Sequence, residues 1–191
     1  KIYAVGGSNG GTLGVVEEYT PGSASTFRDL TPNTSYAFKA KARNVGASET
    51  GESVEVSTYT LAAAPGVSGS LAFTGVSASG LTLHWSSGTA AEGYNAPETL
   101  YLAQVSTDAA FLDAVTSSQT YNLEAGITGL DLGQRYYGRA RAINALGHAT
   151  AFTALGSIHV VDGMAGVNYT DVSSVSATGN WISIFPAGTT Y

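Results

Sequence analysis

His84, His148 and His159 are the only imidazoles in this chain of 191 residues. His84 stands beside Trp85 in an alternating run whose period of two turns it outward. His148 follows the turn Asn144 to Gly147, and His159 lies in a late strand-like run. None is spaced His-x-x-x-His or set with carboxylates at metal-ligand distances in sequence, so no metal and no catalytic imidazole is expected. No Gly-x-Ser-x-Gly elbow that could present a nucleophile occurs. The segment Gly6-Gly7-Ser8-Asn9-Gly10-Gly11 has enough glycine to cradle a phosphate, but no Lys-Ser/Thr follows it, and it reads as a hairpin loop. Glu17-Glu18 is a lone acidic pair after an apolar run and reads as a wet face; glycosidase chemistry needs two carboxylates facing each other across a cleft. The expectation is a protein that is no enzyme and holds no cofactor.

The remaining polar motifs suit surfaces. Lys39, Lys41 and Arg43 recur as Arg139 and Arg141, a basic stripe along a strand. It reads as a solvated face or as pairing with acids such as Glu17, Glu55 or Asp108; a docking stripe for the next domain or for an anionic glycan is the functional alternative. Asn33-Thr34-Ser35 and Asn168-Tyr169-Thr170 fit the short glycosylation sequon. Lys1, Lys39 and Lys41 are the only lysines, none at an inward position, so internal isopeptide bonds are not expected.

Composition narrows the class. The chain carries 14 acids against 8 bases, a net charge of −6, which argues against nucleic acid as a partner. There is no cysteine, hence no disulfide and no thiolate metal site. No apolar run of about 18 residues is present to span a membrane. At 43% hydrophobic and 12% charged, the chain can bury real cores. The chain opens at Lys1, without Met or a leader, and so reads as a processed product, an expressed piece, or a window cut from something longer.

The elements that position these residues read as β throughout. Tyr36, Phe38, Ala40 and Ala42 alternate with Lys39, Lys41 and Arg43, the pattern of a strand wet on one face. Val54–Thr58, Leu81–Trp85 and Leu100–Val105 alternate likewise, and Pro32-Asn33, Ala64-Pro65-Gly66 and Asn144 to Gly147 punctuate them. Ala109 to Val115 suits one helical turn or an irregular strand. Many short strands closely spaced predict a sandwich or barrel.

Two internal repeats organise the chain. Leu30, Tyr36, Ala40, Ala42 and Asn44 match Leu130, Tyr136, Ala140, Ala142 and Asn144 at a constant offset of 100, and Phe73 to Trp85 matches Tyr169 to Trp181 at an offset of 96. The middle copy runs Trp piece, then Tyr piece. The N-terminal end has only the Tyr piece, and the C-terminal end only the Trp piece.

Those residues resemble fibronectin type III domains, a branch of the immunoglobulin-like sandwiches. The family pattern places a core Trp on its second strand and a Leu-x-Pro-x-Thr-x-Tyr corner before its sixth. Residues 66–161 match over a whole domain through Trp85, Tyr101, Leu130, Tyr136, Ala140, Ala142, Asn144 and Gly147, although the corner Leu-Asp-Leu-Gly-Gln-Arg-Tyr lacks the proline. Residues 1–62 match only strands C to G, with Leu30, Pro32, Thr34 and Tyr36 close to the pattern; residues 163–191 match only strands A and B. The wording PETLYLAQVSTD and PAGTTY is similar to repeats in large bacterial secreted or surface proteins. The resemblance implies an all-β fold of one complete and one split sandwich, with Trp85, Leu30 and Leu130 as core and Tyr36 and Tyr136 as tyrosine corners whose hydroxyls bond nearby backbone.

The ends then complete each other. Residues 163–191 are too few to bury Trp181, Ile182, Ile184 and Phe185 alone, and residues 1–62 lack the strands that carry the core Trp. Read from end to beginning, NWISIFPAGTTY-KIYAVGG is one strand, a turn and the next strand. In such a sandwich the first and last strands end at opposite poles, and a strand of 7–10 residues covers about 23–33 Å. The short link at Val161-Asp162-Gly163 does not return that far, so the tail is expected to complete a neighbouring copy, by donated strands or by covalent continuity. Tyr169, Val172, Trp181, Ile182, Ile184 and Phe185 would meet Ile2, Tyr3 and Phe38 there. The expected function is a structural repeat of an extracellular or cell-surface fibre, its partner another copy of itself, with glycans or a cell surface left open. The alternative is a non-catalytic spacer or binding module of a large secreted enzyme or adhesin, making contacts through loops such as Ser86 to Pro97.

Overall fold

The computed structural model describes residues 2–5, 16–19, 26–44, 46–69, 71–160, 165–170, 173–176 and 178–182. Sixteen strands and no helix are found among them. No helix of the described residues is long and apolar enough to cross a membrane. The chain divides into two compact units: Lys1–Ala64 with Ser87–Leu100 and Ala142–Ala151, and Pro65–Ser86 with Tyr101–Arg141 and Phe152–Tyr191.

The first unit holds the four-stranded antiparallel sheet β2-β1-β3-β4, built from β1 (Ile2–Val5), β2 (Val16–Tyr19), β3 (Ser35–Ala42) and β4 (Val56–Tyr59). Alternation in β3 separates Tyr36, Phe38, Ala40 and Ala42 from Lys39 and Lys41, because successive side chains leave a strand on opposite faces. At the start of β3, the Tyr36 hydroxyl reaches back to accept the Thr31 N–H at 2.9 Å.

Next in the chain come β5 (Gly66–Val67), β6 (Phe73–Thr74), β7 (Gly80–Ser86), β8 (Gly88–Thr89), β9 (Gly93–Tyr94), β10 (Leu100–Ser106), β11 (Thr116–Thr120), β12 (Glu124–Thr128), β13 (Arg135–Ile143) and β14 (Thr153–His159). They form the sheets β11-β10-β13-β14 and β12-β7-β5, with β6 also on β7 and β8 paired to β9. Inward positions of β7, β10, β12 and β13 are buried in turn: Leu81, Leu83 and Trp85; Tyr101, Ala103 and Val105; Ala125 and Ile127; Tyr136, Gly138 and Ala140. Trp85 is 3% exposed, and its ring lies 5.7 Å from that of Tyr101. The Tyr136 hydroxyl accepts the Asp131 N–H at 2.9 Å, repeating the corner at Tyr36. The tail forms the hairpin of β15 (Ala165–Thr170) and β16 (Thr178–Ile182).

Gly138 is required by packing. A Cβ there would lie 2.7 Å from Leu83 Cδ2 and 2.9 Å from the Phe73 ring, so the core would have to shift. Gly138→Ala is expected to cost about 1–3 kcal/mol by overpacking, seen as a lower melting midpoint of the second unit in calorimetry.

Ala109 to Val115 is neither helix nor strand. Phe111 and Ala114 hold φ of 57° and 49°, and the Asp108 carboxylate accepts the Ala110 and Leu112 N–H groups at 2.9 and 2.8 Å. Those backbone donors hold the Asp108 carboxyl below its ordinary pKa. An aspartate that caps its own turn competes with helical bonding, which the apolar run of the sequence does not reveal. Phe111 instead serves Arg139, whose guanidinium lies 3.9 Å from the Phe111 and Phe152 rings and donates to Gln104 Oε1 at 2.9 and 2.7 Å. Burial, with Arg141 nearby, lowers the Arg139 pKa.

Candidate functional site

The two tyrosine-corner sheets carry the same register. Ser35↔Tyr59, Tyr36↔Thr58, Ala37↔Ser57 and Phe38↔Val56 in β3–β4 repeat as Arg135↔His159, Tyr136↔Ile158, Tyr137↔Ser157 and Gly138↔Gly156 in β13–β14. The pairs of β1–β2 recur in β10–β11 at the same offset, Tyr3↔Glu18 as Ala103↔Ser118 and Val5↔Val16 as Val105↔Thr116. Burial is alike at the corner, Tyr36 being 2% and Tyr136 5% exposed, and differs further along the strand. Ala140 and Ala142 are 0% exposed, whereas Ala40 is exposed and Ala42 half-buried. Phe38 is half-buried against Phe27, with ring centroids 5.0 Å apart, and Val56 opposite it is 68% exposed. The inner row of β13 is buried throughout; that of β3 is buried at Tyr36, half-buried at Phe38 and Ala42, and exposed at Ala40.

The other face of β3 is polar and satisfied. Lys41 Nζ meets Glu49 at 2.6 Å, Lys39 reaches Glu52 and Glu55 at 3.4 and 3.7 Å, and Arg43 lies 3.9 Å from Glu49. The Lys41 hydrogen bond holds the Glu49 carboxyl below its usual pKa. Of the acids expected beside this stripe, Glu55 is present, Asp108 caps its own turn, and Glu17 lies in β2.

The tail hairpin is a second copy of β6–β7. Phe73↔Leu83 and Thr74↔Thr82 correspond, at an offset of 96, to Tyr169↔Gly179 and Thr170↔Thr178. Trp181 and Ile182 fall in β16 and Tyr169 in β15; Val172, Ile184 and Phe185 lie outside the described residues, as does the loop Gly6 to Gly11. Ile2 lies in β1 opposite Ala42 in the β1–β3 register, and Tyr3 opposite Lys41.

A second constellation escapes the sequence. Asn33, 8% exposed, donates from Nδ2 to Thr99 Oγ1 at 2.7 Å and accepts the Ala145 N–H on Oδ1 at 2.8 Å. Asn95 donates to the Ala63 and Ser87 carbonyls at 2.9 and 2.6 Å and accepts the Ala63 N–H at 2.7 Å. The Ala96 N–H reaches the Pro32 carbonyl at 3.2 Å, and Asn144 Nδ2 the Thr60 carbonyl at 3.2 Å. All these groups belong to the first unit. The loop Ser86 to Pro97, read as a ligand contact, thus spends polar groups on its own chain, and the Asn33 amide nitrogen of the first sequon is buried in hydrogen bonding.

Of the histidines, His84 alone sits in a cluster. Its Nε2 lies 2.6 Å from Thr74 Oγ1, and its Nδ1 lies 3.3 Å from Glu124 Oε2. His84 and Glu124 border a shallow concavity with Ser68, Trp85, Tyr121, Asn122 and Leu123. His159 accepts from Arg135 Nε at 3.2 Å. No group of three metal-ligating side chains forms among the described residues.

Neither a protein-family model nor a curated protein sequence matches the chain. Among solved structures, it is similar to a segment of two fibronectin type III domains from chicken tenascin, with a TM-score of 0.51, 12% identity, and coverage of 83% of this chain and 82% of that one. It is also similar to the FN1–FN3 domains of chicken CNTN1, with a TM-score of 0.38 and 17% identity over 82% of this chain. The chain spans about half that structure, covering 54% of it. With the two-sheet architecture above, the tenascin likeness shows the fold: the chain is all-β and built on immunoglobulin-like, fibronectin type III sandwiches.

Proposed function

We propose that this chain is a structural repeat of an extracellular filament or surface fibre, in which the hairpin β15–β16 of one copy completes the sheet β2-β1-β3-β4 of the next. One observation carries the reading. Beyond the buried Tyr36, the inner row of β3 is only half-buried or exposed where its counterpart in β13 is buried under β6–β7, and β15–β16 repeats both cross-strand pairs of β6–β7. Among the described residues, the hairpin pairs only with itself. A head-to-tail contact of this kind does not close on itself and propagates into an open fibre.

At tens of micromolar the purified chain is expected to sediment as a concentration-dependent series of polymers and to show fibres in the electron microscope. A permuted chain that begins at Gly66 and joins Tyr191 to Lys1 has its split sandwich closed within one molecule, so it is expected to stay monomeric. A wild-type chain that remains a monomer would overturn the reading. That outcome is the one the alternative requires, a non-catalytic spacer or binding module of a larger secreted protein. The alternative draws on the fold shared with the two-domain tenascin segment.

A further inference from the structure

At the positions of Leu83 and Leu81, the tail hairpin has lost the bulk that the receiving sheet gains at Phe38 and Val56. In the complete sandwich, Leu83 Cδ2 and the Phe73 ring lie so close over β13 that a Cβ at position 138 would force them to shift. The cross-strand neighbour of that position is also glycine, Gly156, whose added Cβ would lie 3.7 Å from the Phe73 ring. Large residues on the hairpin therefore meet glycines on the sheet. In the first unit the same two sheet positions are Phe38 and Val56, paired in the same register, and Phe27 stacks on Phe38. Phe27 stands at the offset of Ile127, the residue of β12 opposite Leu81 in β7. On the tail hairpin, the position of Leu83 is taken by Gly179, opposite Tyr169 in β15; in sequence, the position of Leu81 is taken by Ala177. At these two positions the hairpin is small where the sheet has become large, while Tyr169 keeps the aromatic place of Phe73.

We propose that Phe38 and Gly179 are the specificity-determining pair of the assembly contact, the Phe38 ring of one copy seating over Gly179 in the hairpin of a second copy. This rests on the strand-completion reading and names what selects the partner. The exchange works in both directions. A hairpin carrying Leu at the position of Gly179 would collide with Phe38, as a Cβ at position 138 collides with Leu83. The tail hairpin set over β13 would leave a void where Leu83 now packs, and interiors do not tolerate such gaps without loss. The tail therefore fits the N-terminal sheet of another copy and does not displace β6–β7 from the complete sandwich. Specificity of this kind comes from a clash built against the wrong partner as well as a fit to the right one.

The test is a bulk swap in the full chain, read by sedimentation at increasing concentration, with calorimetry of the second unit as the control for folding. Gly179→Leu is expected to weaken association roughly 10- to 100-fold, the range that overpacking implies, with the second unit's midpoint unchanged. Phe38→Gly is expected to weaken it similarly by leaving a hole. The chain carrying both substitutions is expected to associate at least ~10-fold more tightly than either single variant, since the large residue has moved across the contact. Should Phe38→Gly lose the first sheet, Phe38→Ala takes its place, and Gly179→Leu decides alone because it leaves the receiving sheet intact. A Gly179→Leu chain that assembles like wild type overturns the pairing, as does a double variant no tighter than the weaker single one. Both results leave strand completion standing if the wild-type chain still polymerises; a monomeric wild type removes both.

Discussion

Trp181→Ala is expected to abolish end-to-end association at micromolar concentration while leaving the second unit folded, and Trp85→Ala to destabilise the second unit while leaving the tail able to dock. The two tryptophans hold the same place in two copies of one hairpin, Trp85 in β7 and Trp181 in β16. Trp85 shows what the position is worth. It is 3% exposed, packs on Tyr101, and its Nε1 finds no hydrogen-bond partner among the described residues. Its contribution is therefore packing and burial, and truncation to alanine should cost about 3–5 kcal/mol. A domain of this size holds about 5–15 kcal/mol in total, so the Trp85→Ala unit should survive with a sharply lower midpoint. The same loss at Trp181 falls on an association constant and weakens it roughly two to three and a half orders of magnitude. Sedimentation and calorimetry on the two variants separate the effects. If Trp181→Ala polymers form and melt like those of the wild type, strand completion is wrong.

The sequence made the repeats legible because β-structure keeps its side-chain period and its hairpin lengths. An offset read from Leu30, Tyr36 and Ala40 carries through to the cross-strand pairs of β3–β4 and β13–β14. The lower burial of β3 beyond Tyr36 bears on the same logic, since Ala40 and Ala42 match the fully buried Ala140 and Ala142. What stayed hidden is the chemistry of turns. Asn33 and Asn95 belong to the residue types that begin turns on exposed loops, and nothing in their spacing distinguishes a solvated amide from a buried one. Asn33 carries φ of 50° and Gly133, at the matching offset, φ of 77°, so the corner demands a left-handed residue. Asparagine satisfies that demand and brings a side chain that hydrogen-bonds to Thr99 and Ala145. The size exchange between Phe38 and Gly138 was visible as letters, but it acquires meaning only when Leu83 and Phe73 are seen to fill the space that glycine leaves.

Asn95→Ala is expected to destabilise the first unit by about 2–4 kcal/mol, well beyond the ordinary cost of a loop substitution. Asn95 is 8% exposed, and its amide answers three backbone groups at once: the Ala63 N–H, the Ala63 carbonyl and the Ser87 carbonyl. Ala63 is itself buried, so its N–H and carbonyl have no route to water once the side chain is cut back. A single neutral hydrogen bond contributes about 1 kcal/mol net, but each buried group left unpaired costs about 1–3 kcal/mol, and that asymmetry sets the range. Asn95→Asp sharpens the test. It keeps the size and the acceptor for the Ala63 N–H, but replaces the donor with a carboxylate oxygen facing two carbonyl oxygens. The charged form is disfavoured in the folded state, so the introduced group's folded pKa rises above its unfolded value. Stability is then present below the unfolded pKa and lost as pH rises through the folded one. The Asn95→Asp chain should accordingly recover on acidification, whereas Asn95→Ala should not. Urea denaturation at several pH values, with exchange of the Ala63 amide as the local probe, reads both effects. A loss under about 1 kcal/mol for Asn95→Ala would mean that water replaces the side chain and that the network orders the loop without stabilising the unit.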